Sequence, residues 1–239
     1  MRIVLAIDAL EYKLVEKFNC VNLKQRYYGK TDICEFSQPR TMVLWSSFMT
    51  GENKEKEVLA KGNREMWNIK WDIKNTLFSN FKSPFVLDLP GFNYDKNVYD
   101  EYRSLLKKFF EADSEEEKNK VKETYNKNAF AYHRKIKNEF LNALERNHDF
   151  VLGYFSIADV IGHLNFGNTF MMRMIYQELD EIAAKTRERE CKVLVLSDHG
   201  MKAVGQFGDH SEYGFWSTNF KDLGKPKITD FFHILKNEN

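Results

Sequence analysis

One ten-residue stretch, Lys192 to Met201 (KVLVLSDHGM), constrains the fold more than any other. An apolar, β-branched run of strand length that stops abruptly at an acid, an imidazole and a glycine reads as a buried parallel strand. Asp198 and His199 then stand at its carboxyl end. Open α/β sheets collect their ligands beyond the carboxyl ends of their strands, so two strong ligand side chains there suggest a site.

The same order of residues recurs along the chain. Arg2 to Ile7 (RIVLAI) ends in Asp8 and is followed by ALEYKLVEKF at near-helical spacing. Phe85 to Gly91 (FVLDLPG) and Asp149 to Ser156 (DFVLGYFS) are further strand-type runs, the latter leading into Ile157 to His163. Strands alternating with helices predict an α/β fold, an α/β/α sandwich with a largely parallel central sheet. With 239 residues, 43% of them hydrophobic, the chain can bury one sizeable core, so a single domain over 1–239 is expected. Within it, 98–148 reads as a charged helical excursion of two helices, Val98 to Ala112 and Asp113 to His148, the second opened by the capping box Ser114-Glu-Glu-Glu117. Asn168 caps an amphipathic helix whose methionines are expected to face the core, and Thr229 to Lys236 reads as a closing helix.

Charge excludes some partners. Lys plus Arg (36) nearly cancels Asp plus Glu (35), so no general field attracts nucleic acid or an anionic membrane. No window reaches the roughly 20 apolar residues of a membrane-spanning helix. The apolar start meets Asp8 too early for a signal peptide, and three cysteines without CxxC spacing fit a reducing compartment, so a cytoplasmic location is expected with the thiols used in packing.

Several side chains could carry chemistry. Asp8 alone reads as a helix cap; Thr41 falls in the first turn of a helix predicted from SQPRTMVLWSSFMTG, where free N–H groups favour a phosphoryl oxygen. Ser46, Ser47 and Thr50 lie deeper and suit structural hydrogen bonds, as His133 and His148 suit structural or surface roles. Asp159 and His163, four apart, share one side of a helical turn, and His210 is expected in a glycine-containing loop. Glu52 to Trp71 mixes charge with tryptophan and reads as a substrate-facing loop. Together Asp8, Thr41, Asp159, His163, Asp198, His199 and His210 could fill two metal sites. Carboxylates and imidazoles without thiolate favour zinc first and manganese second, and two such ions can clamp a displacement at phosphorus.

Five ordered motifs carry a resemblance: IDALE, the T-x-x-x-W-x-S-F-x-T-G run from Thr41, ADVIGH ending at His163, SDHGM from Ser197, and GDHSEYGFWS around His210. In these the chain resembles the alkaline phosphatase superfamily, particularly its type I phosphodiesterase and nucleotide pyrophosphatase branch and related archaeal phosphohydrolases. The resemblance implies that Asp8, Thr41, Asp198 and His199 hold one ion while Asp159, His163 and His210 hold the other. It also implies Thr41 as nucleophile, a phosphothreonine intermediate, and a small phosphate ester or nucleotide as substrate. The sulfatase signature is absent. A metal-dependent phosphomonoesterase or phosphomutase, and a catalytically silent protein binding metal or nucleotide, remain alternatives. Asn53 and Asn63 are the candidates for an oxyanion-stabilising amide.

Overall fold

The computed structural model describes residues 1–237. The strands are β1 (Arg2–Ile7), β2 (Tyr27–Asp32), β3 (Pro84–Leu87), β4 (Phe150–Phe155), β5 (Lys192–Ser197), β6 (Met201–Val204), β7 (Phe207–His210) and β8 (Tyr213–Thr218). The helices are α1 (Tyr12–Lys17), α2 (Val21–Lys24), α3 (Thr41–Thr50), α4 (Glu55–Leu59), α5 (Gly62–Glu65), α6 (Lys96–Glu111), α7 (Glu115–Leu144), α8 (Ile157–Asn165), α9 (Thr169–Arg187) and α10 (Asp230–Asn237). A six-stranded sheet in the order β2-β8-β5-β1-β4-β3 forms the centre, and β6 and β7 make a separate two-stranded hairpin.

β1 pairs in parallel with both β4 and β5, and β3 with β4, so the expected largely parallel sheet is present. Every residue of β1 and β4 is buried, as continuous apolar runs require when both sheet faces are covered. β8 runs antiparallel to β5, and β2 antiparallel to β8. Neither strand is announced by the sequence. Tyr27–Asp32 (YYGKTD) is half-exposed at the sheet edge and carries little apolar signal, whereas Tyr213–Thr218 (YGFWST) is buried between strands.

Caps fall where expected: Ser114 Oγ accepts from Glu117 N at 3.2 Å, and Asn168 Oδ1 from Met171 N at 3.1 Å. Two local expectations need correction. Met174 is 43% exposed, because it lies on the outer side of α9 while Met172 packs inward. Cys34 is exposed rather than packed, and all three thiols are free. Among the described residues no helix is long and apolar enough to cross a membrane.

The charged helices are held to the sheet by a buried acid. Asp88, one residue past β3, sits in the left-handed region (φ 60°) and accepts from Asp95 N (2.9 Å), Tyr132 OH (2.7 Å) and Tyr99 OH (2.9 Å). It thereby pins both α6, through Tyr99, and α7, through Tyr132. Burial pushes its carboxyl up to about 6, above the ordinary 3.8. A carboxyl raised in the fold binds its proton more tightly than in the unfolded chain, so its contribution is full below the unfolded value and is lost as pH rises through about 6. The two-unit difference corresponds to about 3 kcal/mol. Asp88→Asn keeps a residue tolerant of left-handed backbone and removes the charge. The expected result, read by urea unfolding of the metal-free chain at pH 5 and pH 8, is a variant that loses less stability on going to pH 8 than the parent.

Candidate metal centre

Four main-chain features bring the site together at one edge of the sheet. Asp8 follows β1, Asp198 and His199 follow β5, Asp159 lies in the first turn of α8 after β4, and Thr41 opens α3. Three parallel strands that are adjacent in the sheet thus deliver three carboxylates to the same end. His210 arrives differently from the sequence expectation: it ends strand β7, because residues 201–210 fold back as a hairpin instead of a loop.

His199 Nε2 is the hub of the first group. It lies 3.3 Å from Asp8 Oδ1, 3.4 Å from Asp198 Oδ2 and 3.3 Å from Thr41 Oγ1. Asp159 Oδ1 is the hub of the second, 3.3 Å from both His163 Nε2 and His210 Nε2. The groups adjoin, since the His199 and His210 rings stack at 3.8 Å between centroids. Ligand atoms of Asp8, Asp198 and His199 lie within 4.8 Å of one another, as do those of Asp159, His199 and His210. All seven residues singled out in the sequence are therefore brought together, with His163 reaching the cluster through Asp159.

The ring orientations fix the tautomers. His199 Nδ1 faces Gly200 O at 3.0 Å, His210 Nδ1 faces Pro39 O at 2.8 Å and His163 Nδ1 faces Gly208 O at 3.3 Å. A carbonyl oxygen only accepts, so each Nδ1 carries hydrogen and each neutral ring turns an Nε2 lone pair into the site, the arrangement found for metal-ligating histidine. Tyr154 OH donates to Asp8 Oδ2 and orients that carboxylate in the same way.

Beyond the 3.3–3.4 Å approaches of the imidazoles, the atoms facing the centre make no properly formed hydrogen bond. Asp8 Oδ1, Asp159 Oδ1, both oxygens of Asp198 and His210 Nε2 are buried and unsatisfied. Burying such acceptors without a partner costs several kcal/mol, and a cation is the partner their chemistry suits. The titration follows the same physics. Burial, with Asp159 adding repulsion, pushes Asp8 up to about 7, and burial with the charges of Asp8 and Asp159 pushes Asp198 well above its usual range. Burial opposes ionisation of Asp159, but the imidazoles of His163 and His210 hold it well below normal. His163 rises to about 9, the attraction of Asp159 overcoming burial, while burial and His210 keep His199 neutral. Carboxylates and imidazoles converging in this way, once their protons are released, are a donor set that fits divalent cations.

Thr41 is 8% exposed at the start of α3, and Arg40 at the cap gives no side-chain hydrogen bond to that turn. The first-turn amides are left for an anion. Beside Thr41 opens a cavity of about 780 Å³ whose lining includes Asp8, Thr41, Asp159, His163 and His210 together with Trp67, Arg103 and several tyrosines. The stretch Glu52 to Trp71, read as a substrate-facing loop, folds instead into α4, α5 and a further helical turn, of which Met66 and Trp67 reach the cavity. The deeper hydroxyls are structural: Ser47 Oγ donates to Val43 O (2.8 Å), Thr50 Oγ1 to Ser46 O (2.8 Å), and Ser46 Oγ accepts from Trp71 Nε1 (2.9 Å). Asn63 Oδ1 is taken by Arg40 at 2.7 Å, and Asn53 caps the following turn through Glu55 N at 3.0 Å, so neither faces the cavity.

The sequence pattern of the type I phosphodiesterase/nucleotide pyrophosphatase family matches residues 52–215, more than half of the chain. The chain belongs to that family. The matched segment of this phosphodiesterase-family chain contains Asp159, His163, Asp198, His199 and His210, while Asp8 and Thr41 precede it and join the site by geometry. Among solved structures it is similar to the TAB5 alkaline phosphatase, in a variant with Mg bound in the M3 site, at 11% identity over 100% of this chain and 98% of that one, with a TM-score of 0.53. That likeness establishes an alkaline phosphatase-like fold. Murine ectonucleotide pyrophosphatase/phosphodiesterase 5 is matched at 11% identity over 85% of this chain, with a TM-score of 0.44. The chain spans 58% of that enzyme's length. No curated protein matches it.

Proposed function

We propose that this chain is a two-metal phosphohydrolase that cleaves phosphodiesters or nucleotide pyrophosphate bonds with Thr41 as nucleophile. The observation that carries the reading is the Thr41 hydroxyl 3.3 Å from His199 Nε2, beside buried carboxylate oxygens that have no partner, at the mouth of a cavity larger than a phosphate group. Asp8, Thr41, Asp198 and His199 would hold one divalent ion and Asp159, His163 and His210 the other, with His199 close to both groups. Zinc suits this donor set best, and manganese next. When bound, the ions supply Lewis-acid charge that favours the ionised hydroxyl and withdraws charge from phosphoryl oxygens.

The chain's own groups do the rest. The α3 amino terminus orients a phosphoryl oxygen through its free amides. Thr41 Oγ1 attacks phosphorus in line, the bond to the leaving oxygen breaks, and a phosphothreonine forms; water then attacks that phosphorus and releases Thr41. Cavity chemistry favours a planar substituent on the phosphate. Tyr94 OH donates to Trp67 O (2.5 Å), Tyr99 OH to Asp88 (2.9 Å) and Tyr154 OH to Asp8, so these buried tyrosines spend their hydroxyls on the protein and leave the adjoining cavity wall aromatic in character. Arg103 lies over the Trp67 ring at 4.2 Å, its charge partly balanced by Asp100 at 2.7 Å. A small nucleotide or aryl phosphodiester fits such a surface. The shared core of sheet, α6 and α7 supports one domain over 1–239 with 98–148 as its charged excursion, and free thiols support a cytoplasmic location.

The test is hydrolysis of bis-p-nitrophenyl phosphate beside p-nitrophenyl phosphate by metal-stripped protein, with zinc or manganese restored separately. Metal-dependent cleavage preferring the diester is expected. A monoester preference would transfer the assignment to a phosphomonoesterase, and absence of turnover with either ester despite bound metal would sink the enzymatic reading.

A further inference from the structure

We propose that Glu11 is the positioning residue that seats the β6–β7 hairpin and thereby builds the second metal-binding group, Asp159, His163 and His210; this rests on the two-metal reading above. Glu11 is buried, and its carboxylate gathers donors from three parts of the chain. Oε1 accepts from Lys13 N (3.0 Å) and Tyr213 OH (2.6 Å), and Oε2 accepts from Met201 N (3.1 Å) and Ser211 Oγ (3.5 Å). Met201 begins the hairpin and Ser211 immediately follows it, so one carboxylate clamps both of its ends. Gly200 makes room for this clamp: a Cβ there would collide with Glu11 Oε2 and stand 2.7 Å from Ser211 Oγ.

Position passes from Met201 to the ligands by packing. Its side chain lies against Gly162 of α8 and Gly208 of β7, and a Cβ on either glycine would collide with Met201 Sδ. Gly162 directly precedes His163, and Gly208 O accepts from His163 Nδ1 (3.3 Å), two residues before His210. The hairpin is outside the six-stranded sheet, whose register therefore does not hold it in place. Asp8 and Asp198, by contrast, extend directly from the central strands β1 and β5. Among the described residues, His199 of the first group touches the clamp through Gly200 O alone, so losing the clamp should loosen the second group far more than the first.

The experiment is calorimetric titration of the metal-stripped full chain with Zn²⁺, comparing the parent with Glu11→Gln and Met201→Ala. Glutamine supplies one acceptor oxygen and turns an amide NH₂ towards a backbone N–H, whereas Met201→Ala empties the slot between the two glycines and leaves the carboxylate alone. The parent is expected to take up two tight ions. Each variant should keep one and bind the other about 10- to 100-fold more weakly, the range for losing a group that orients metal ligands. Two ions as tight as in the parent, or both weakened equally, would overturn the positioning role. If Glu11→Gln does not fold, Met201→Ala decides by the same criterion. A parent chain that bound no Zn²⁺ would overturn the two-metal reading as well, and that failure would be visible before any variant was made.

Discussion

Thr41→Ala should lower metal-restored phosphodiester turnover by about 10³-fold or more, because it deletes the atom assigned to bond formation. That loss corresponds to about 4 kcal/mol of transition-state stabilisation. The expected cost to the fold is small by comparison. Thr41 opens α3 next to the cavity, and among the described residues its Oγ1 makes one hydrogen-bond contact, 3.3 Å from His199 Nε2, so truncation gives up little polar bonding. Thr41→Ser keeps a hydroxyl at the same place and should recover much of the turnover. The comparison is steady-state hydrolysis by zinc-loaded parent, Ala and Ser proteins, with zinc content measured on each. An alanine variant that retained both zinc and parental turnover would remove Thr41 from the reaction.

Stripping the metal should have the largest effect on stability. A ligand that binds only the folded chain stabilises it by about 4 kcal/mol per site at a thousandfold excess over its Kd. In a domain of this size each kcal/mol moves Tm by roughly 2–4 °C, so saturation of two sites should raise Tm by well over 10 °C. The effect should depend on pH in a stated direction. Without metal, Asp8 holds a proton up to about pH 7 and His163 up to about pH 9. Both must lose it to serve as ligands, so zinc binding releases protons and weakens as pH falls through that range. Melting curves with and without zinc between about pH 6 and 9 would show the increment growing with pH. Asp198→Asn should separate the two contributions. Asp198 is fully buried, and burial with the nearby Asp8 and Asp159 makes its ionisation costly in the fold but not in the unfolded chain, so the variant's metal-free form should melt higher than the parent's while most of the zinc increment disappears. Equal melting with and without zinc at every pH would contradict this account.

The parts of the fold that were legible in the sequence are those written in local chemistry. RIVLAI and KVLVLS are apolar over a full strand length, and each ends in an acid that the parallel pairing then aligns at one sheet edge. Helix starts were readable because a short side chain accepts from a first-turn amide, as at Ser114 and Asn168. β2 was not readable, because a strand exposed at an edge has no need of apolar residues on both faces. The hairpin at 201–210 was hidden for a related reason: Lys202, Ala203 and Val204 are exposed, and its seat depends on Glu11, some 190 residues earlier. Candidate ligands could be named by type and by order, but the stacking of His199 on His210 follows only from the folded hairpin.

The place of β1 in the sheet also bears on how the chain must be made. The strand lies in the middle of the sheet, yet its partners β4 and β5 begin 148 and 190 residues later (Arg2 against Phe150 and Lys192). At typical elongation rates of about 5–20 residues per second, a fully apolar strand waits for roughly 7–40 s with both edges open. An apolar strand kept waiting in this way needs shelter during translation, and the candidate ligand set is complete only once His210 has been added.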